Sequence, residues 1–246
     1  MFIFLTINNC ENTKEFQFNI TKLTQIPIYK FIDDNKYNII PINIINLPNA
    51  KIRLSKIINN LKAYQQTYHV FNAIHHTEPN FNNLLKLNKI ILGKSHRKLG
   101  EAGCALSHIT IIKNFIKNSS HYYCLILEDD AEIIRRIPQT TFQIDKIFPN
   151  DIDILYLTNR VQSDNKKNII SGVGTEGYII NKKGGQKLIE ICEYIDCGID
   201  LRFQSHYPYF KKKTQKSKIS NLLIHAKKTE SVYVIHKDYG ISFIEP

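Results

Sequence analysis

The chain lacks the cysteine spacing of a disulfide framework or a zinc module. Its cysteines, Cys10, Cys104, Cys124, Cys192 and Cys197, are odd in number and scattered, with no CxxC pair. They are expected to be reduced and mostly buried. No apolar run approaches the ~20 residues that cross a bilayer. Met1–Ile7 has no basic leader and reads as a strand, not a signal peptide, which makes the expected address cytoplasmic. Internal repeats and an obvious linker are missing as well. Acidic residues are the scarcer charge, 22 against 33 Lys and Arg. The formal net charge of +11 would suit a membrane surface, a nucleic acid or a phosphorylated substrate equally. Aromatic and basic residues do not interleave as in an RNA-binding sheet, however, so nucleic acid is not an expected partner.

What is present is an alternation of strands and helices. With 43% hydrophobic and 22% charged residues, 246 residues suffice for one large α/β domain. Phe2–Ile7 and Phe16–Ile20, separated by the polar Asn8–Lys14, suit a small hairpin. Tyr37–Leu47 reads as a strand, with Pro41 at its start or on an edge. Leu54, Ile57, Ile58, Leu61 and Tyr64 recur at helical spacing, predicting a helix over 52–66, and Tyr68–Ile74 predicts a second strand. Strand, helix, strand over this length is a βαβ unit with a parallel pair.

Gly100–Lys117 is the clearest helix, with Ala102, Ala105, Leu106, Ile109, Ile112 and Ile116 inward, while Glu101, Cys104 and His108 share another face. Further strands are predicted at Asp153–Thr158, within Gly172–Asn181 and at Ser231–His236, and a helix at Lys182–Ile195. The glycines of Gly172–Asn181 come with no lysine placed as in a P-loop, and are read as allowing a tight turn or close backbone approach. The expectation is an α/β fold, with residues 1–38 as an N-terminal extension and 39–246 as a single domain.

One stretch organises the rest: His121-Tyr-Tyr-Cys-Leu-Ile-Leu-Glu128-Asp129-Asp130-Ala131. An apolar run that ends in three adjacent carboxylates reads as a buried strand with a charged tip. Adjacent acids repel, and a divalent cation or cationic ligand offsets the repulsion. The other reading is a solvated turn in which Asp129 or Asp130 caps the next helix. Asp151 and Asp153 form a literal Asp-x-Asp pair, but at the amino end of their strand. In open α/β sheets ligands gather at carboxyl ends, where Glu128–Asp130 lie. Seven lysines within Lys211–Lys228, with no acid between them, make either a solvated segment or a contact for anionic lipid head groups.

Several of these stretches together resemble glycosyltransferase family 25, the lipooligosaccharide-type sugar transferases. They are Ile42-Asn-Ile-Ile-Asn46-Leu47 with Arg53, Gly100-Glu101-Ala-Gly103-Cys104-Ala-Leu-Ser107-His108, Leu125-Ile-Leu-Glu128-Asp129-Asp130-Ala, Asp153-Ile-Leu-Tyr-Leu and Gly177-Tyr178-Ile-Ile-Asn-Lys-Lys-Gly184. They run in order from about residue 39 to about residue 200. The resemblance implies a GT-A fold with a Rossmann-like mixed sheet flanked by helices, a UDP-galactose or UDP-glucose donor, and a divalent metal, Mn²⁺ or Mg²⁺. It implies a lipopolysaccharide-type glycan or glycolipid acceptor. With the N-terminal reading and the lysine run, the expected address is the cytoplasm, with a peripheral position at the inner face of the inner membrane as the membrane contact.

Residue by residue, the resemblance implies a donor site of Asn46, Leu47, Arg53, Ser107, His108, Glu128, Asp129 and Tyr178. Asp130 is the first expected metal ligand, with Glu128 second and His236 as a hypothetical third. An inverting reaction needs a carboxylate to take the proton from the acceptor hydroxyl. Asp200 is the expected base and Glu101 the reserve, although Cys197-Gly198-Ile199 replaces the proline context that the family has before this aspartate. Two rival readings are a non-catalytic, degenerate transferase held at a membrane through Lys211–Lys228, and a metal-dependent nuclease.

Overall fold

The computed structural model describes residues 2–9, 12–19, 39–88, 91–92, 99–163, 169–171, 174–195, 198–202 and 224–237. The elements begin with β1 (Phe2–Asn9), β2 (Asn12–Asn19), β3 (Ile42–Asn46), α1 (Lys51–Ala63), β4 (Tyr68–Asn72), α2 (Phe81–Leu87) and β5 (Ile91–Leu92). There follow α3 (Leu99–Asn118), β6 (Tyr123–Glu128), β7 (Ala131–Ile133), α4 (Thr141–Asp145), β8 (Ile154–Tyr156), β9 (Gln162–Ser163) and β10 (Ile169–Ser171). The last are β11 (Gly177–Asn181), α5 (Lys182–Ile191), β12 (Tyr194–Ile195), α6 (Ile199–Arg202), β13 (Ala226–Lys228) and β14 (Val234–His236).

The α/β architecture is a six-stranded mixed sheet, β13-β8-β11-β6-β3-β4, flanked by helices. β3 runs parallel to β4 and to β6, so the βαβ unit read from the sequence is present. β11 is antiparallel to both β6 and β8. β1 and β2 form a separate antiparallel hairpin in which Phe2 faces Asn19.

The central strands are buried on both faces, which is why they read as nearly continuous apolar runs. On β6, Cys124 and Ile126 enter the core shared with α3 and α5, whereas Tyr123, Leu125 and Leu127 enter the core shared with α1. β11 divides in the same way, with Tyr178 and Ile180 on the first side and Ile179 on the second. Leu106, Ile109 and Ile112 of α3 are almost completely shielded from solvent, as their spacing predicts. Each such side chain contributes on the order of 1.5–3 kcal/mol by leaving water.

Two close attachments set the position of α3. The Ser107 hydroxyl donates to the Gly103 carbonyl at 2.8 Å and accepts from the Ile74 backbone N–H at 2.8 Å. Gly103 lies so near the strand end that an added Cβ would stand 2.4 Å from the Ile74 carbonyl oxygen. This helix therefore reaches the carboxyl end of the parallel strands at van der Waals limits, bringing its first two turns to the acidic tip.

Some element boundaries differ from the sequence reading. Of the strand expected over 37–47, residues 37 and 38 lie outside the described residues, and the strand runs over Ile42–Asn46, directly after Pro41. The helix expected to Ile195 ends at Ile191, because Tyr194 and Ile195 leave it to pair in parallel with Ile91 and Leu92. Strand pairing there overrides an apolar spacing that would continue the helix.

Candidate active site

β6 delivers Glu128 to the carboxyl end of the sheet, and the chain turns through Asp129 and Asp130 into β7. The three acids meet three different environments. Asp129 is buried and receives an ion pair from Arg53 on α1, Nη2 to Oδ1 at 3.1 Å. Burial nevertheless raises its pKa to about 6, with the Glu128 charge adding to the rise, while Arg53 and hydrogen bonds from the Leu47 and Asp129 backbone oppose it. Asp130 faces Nδ1 of His236 at 3.7 Å, a proximity created when β14 pairs antiparallel with β7 and sets His236 opposite Ala131. Burial, then the charges of Glu128 and Asp129, raise the Asp130 pKa to about 8.

Glu128 is held differently. His108 Nε2 lies 3.2 Å from its Oε1, and the Thr175 hydroxyl donates to the same oxygen. An ionised carboxylate only accepts, so Nε2 is the donor. In the neutral ring Nδ1 then accepts from the Tyr178 hydroxyl at 2.8 Å. Burial pushes the Glu128 pKa up, but the bond and charge of His108, with the Thr175 bond, outweigh it and bring it below the usual value. Among the three acids Glu128 is thus the one whose pKa is lowered.

A second layer surrounds the tip. Asp200 on α6 accepts from the Gly174 and Leu201 backbone N–H groups at 3.1 and 2.8 Å. Desolvation, then the charges of Glu128, Asp200, Asp130 and Glu101, hold the pKa of the half-buried Cys104 thiol well above normal. Glu176 is 2% exposed; its Oε1 accepts from Arg160 Nη1 and from the Thr158 hydroxyl, each at 3.2 Å. Gly174 has φ +113°, and a Cβ there would strike both Glu176 Oε2 and Arg160 Nη1. Here a glycine is required by conformation and by space.

The family model for glycosyltransferase family 25 (LPS biosynthesis protein) matches residues 39–203. The chain belongs to this family. Among solved structures, this family 25 glycosyltransferase is similar to a glycosyltransferase involved in glycosylation of the major capsid of PBCV-1. That match has 11% identity and a TM-score of 0.42, and covers 83% of this chain and 94% of the other. It is also similar to a Drosophila β-1,4-galactosyltransferase 7 mutant in complex with manganese, UDP-Gal and xylobiose, with 8% identity and a TM-score of 0.37, covering 79% and 69%. A comparison with curated proteins finds no match.

Of the residues singled out in the sequence of this glycosyltransferase, Glu128, Asp129, Asp130, Arg53 and His236 converge on the tip. Asn46 ends the neighbouring strand β3, its Nδ2 donating to the Leu47 carbonyl at 2.8 Å while its Oδ1 is buried without a partner. His108 and Tyr178 are fully buried behind Glu128 and hold it in place, and the Ser107 hydroxyl is engaged by backbone on both sides. Glu101 lies in the first turn of α3. Asp153, which was set aside as a ligand, is buried and tied to Lys187 at 2.6 Å and to the His225 backbone N–H at 2.9 Å.

Sequence reasoning did not single out Thr175, Glu176, Arg160 or Cys104 as site residues. A signal was available for two of them. Gly172-Val-Gly-Thr-Glu-Gly177 spells GxGxxG, yet it leads into strand β11 and opens no helix, so it lacks the context of a dinucleotide fingerprint. What this stretch does is present Thr175 and Glu176 beside the tip.

Proposed function

We propose that this glycosyltransferase transfers a hexose, galactose or glucose, from a UDP-sugar to a lipooligosaccharide or related surface-glycan acceptor. The reaction is read as metal-dependent and inverting, carried out by a single GT-A-type domain over 39–246. The observation that carries this reading is the convergence of Glu128, Asp130 and His236 at the carboxyl end of β6 in a chain of this family.

The residues fit a divalent cation. Asp129 Oδ2 and Asp130 Oδ1 are buried acceptors without a hydrogen-bond partner. Such orphans are costly, and an oxygen-preferring ion satisfies them. Asp130, Glu128 and His236 would hold Mn²⁺ or Mg²⁺, which when bound supplies positive charge against the departing nucleoside diphosphate. Arg53 and Asp129 brace the side where Asn46 and Leu47 meet the nucleotide, and the free Asn46 Oδ1 offers it an acceptor. Asp200 takes the proton of the acceptor hydroxyl as the new glycosidic bond forms, with Glu101 in reserve.

Among the described residues no helix is long and apolar enough to cross a membrane. We place the enzyme in the cytoplasm, at the inner face of the inner membrane. Much of the lysine-rich segment lies outside the described residues; Lys227 and Lys228 are exposed on the edge strand β13. Anionic lipid is the surface that such charge would meet.

The test is a thermal-shift screen of UDP-galactose and UDP-glucose with and without Mn²⁺, followed by transfer assays on lipooligosaccharide. A ligand at a hundred times its Kd stabilises the fold by about 2.7 kcal/mol, enough to read as a clear rise in Tm. No shift with any UDP-sugar would overturn the donor assignment. Binding without turnover would favour the non-catalytic alternative.

A further inference from the structure

Helix α3 presents Cys104 and His108 one turn apart, and the end of β6 brings Glu128 against them. One ligand atom from each, the Cys104 Sγ, an imidazole nitrogen and a carboxylate oxygen, lie within 4.8 Å of one another. We propose that these three residues form an inner metal site of the zinc type, which shares the Glu128 carboxylate with the hard-ion site at Asp130 but differs from it in its sulfur ligand.

Three observations support it. The first is ligand chemistry. A thiolate, an imidazole and a carboxylate are the set that Zn²⁺ favours, whereas Mg²⁺ and Mn²⁺ prefer oxygen. An ion at the tip would meet two carboxylates and a histidine; the inner group substitutes sulfur for a carboxylate. The second is spacing. Zn–N and Zn–O bonds of ~2.0–2.1 Å and a Zn–S bond of ~2.3 Å place tetrahedral ligand atoms ~3.3–3.6 Å apart. His108 Nε2 and Glu128 Oε1 are already 3.2 Å apart, and with the Cys104 Sγ within 4.8 Å of its two partners' ligand atoms, movement of the thiol toward them completes three corners. The fourth is left to water, as in an open zinc site.

The third observation is orientation. A metal-binding imidazole is usually fixed through its other nitrogen, and His108 Nδ1 is hydrogen-bonded to Tyr178 at 2.8 Å inside the core. On metal uptake the Nε2 proton shifts to Nδ1, which then donates to the Tyr178 oxygen, and the thiol releases its proton. The ion would join α3 to β6 directly behind the acidic tip. The proposal does not depend on sugar transfer.

The experiment uses the full chain, stripped with a chelator and titrated with Co²⁺ and Zn²⁺. Cobalt bound through sulfur gives a ligand-to-metal charge-transfer absorption that oxygen sites lack, so the band reports a cysteine ligand, and its loss in Cys104→Ser assigns it among the five cysteines. One cobalt per chain with this band is expected in the wild type and in Asp130→Asn. Cys104→Ser should lose the band and bind zinc at least a hundredfold more weakly, with circular dichroism confirming that it folds. Zinc should raise Tm in the wild type and in Asp130→Asn, but not in Cys104→Ser.

The proposal is overturned if the wild type shows no sulfur band, if the band survives in Cys104→Ser, or if Asp130→Asn abolishes it. Because Asp130→Asn removes the expected ligand for donor chemistry while sparing the inner cluster, the two metal readings fail separately. Sugar transfer without a sulfur band would leave the proposed function standing and remove only the zinc site. A sulfur band without sugar transfer would do the reverse.

Discussion

His236 Nδ1 lies 3.7 Å from an Asp130 carboxylate oxygen, although the two residues sit far apart in the chain. The pairing of β14 with β7 makes the contact, and a C-terminal histidine thereby joins an acidic cluster formed in the middle of the sequence. Asp130→Ala should abolish transfer, by about a hundredfold or more, with the circular dichroism spectrum unchanged. His236→Ala is milder: loss of one supporting ligand should weaken Mn²⁺ binding by about ten- to a hundredfold. Retained turnover in a folded Asp130→Ala protein would remove the metal assignment.

The acidity of Asp130 gives a pH dependence with a defined sign. Its pKa is about 8 in the folded chain and ~3.9 when unfolded. A carboxyl group raised in this way binds its proton more tightly when folded. Its stabilising contribution is therefore full below ~pH 4 and lost as pH climbs through 8. Asp129, raised to about 6, adds in the same direction over the lower part of that window. Glu128, shifted downward, acts oppositely but only below the ordinary carboxylate range. In EDTA, Tm should fall between pH 5 and pH 8, and Asp130→Asn should flatten the slope. Manganese should reverse it, since the ion binds the deprotonated carboxylate.

Arg53 and Asp129 offer a test of pairing. Arg53→Ala leaves a buried carboxylate without its cation, a loss of about 3–5 kcal/mol when the charge persists. Asp129 can instead take up a proton, so the cost measured by urea unfolding should be smaller at pH 5 than at pH 8. An equal cost at both pH values would show that Asp129 stays ionised throughout.

Asp200 separates chemistry from binding. Asp200→Asn should lower kcat while leaving the affinity for the UDP-sugar intact. A collapse of donor affinity would instead place Asp200 among the residues that hold the donor.

Gly103→Ala tests the seat of α3. A Cβ 2.4 Å from the Ile74 carbonyl oxygen forces the helix outward, and over-packing of this kind costs about 1–3 kcal/mol. The change should also shift His108, so activity should drop more than the loss in Tm alone explains.

The sequence made the central pieces legible for physical reasons that differ from piece to piece. Helical spacing exposed α1 and α3, and the doubly buried strands β3 and β6 stood out as apolar runs. The acidic tip was visible because three adjacent carboxylates rarely close a strand without a partner. Pairing was hidden. Nothing local announces that Arg53 would meet Asp129, or that Thr175 would donate to Glu128, since each contact is created by the sheet order. Two-residue strands such as β5 and β12 carry no periodicity and exist only because each supplies the other's hydrogen bonds.

The β7–β14 pairing also orders events in time. A chain leaving the ribosome can place β3, α3 and β6 together while His236 is still unsynthesised. The three acids are therefore gathered first, with Arg53 and His108 already beside Asp129 and Glu128, and Asp130 meets its histidine only when the last described strand docks. Because β14 is the last described strand, a truncation after Thr229 would leave the central strands β11, β6 and β3 in place but remove the histidine that faces Asp130.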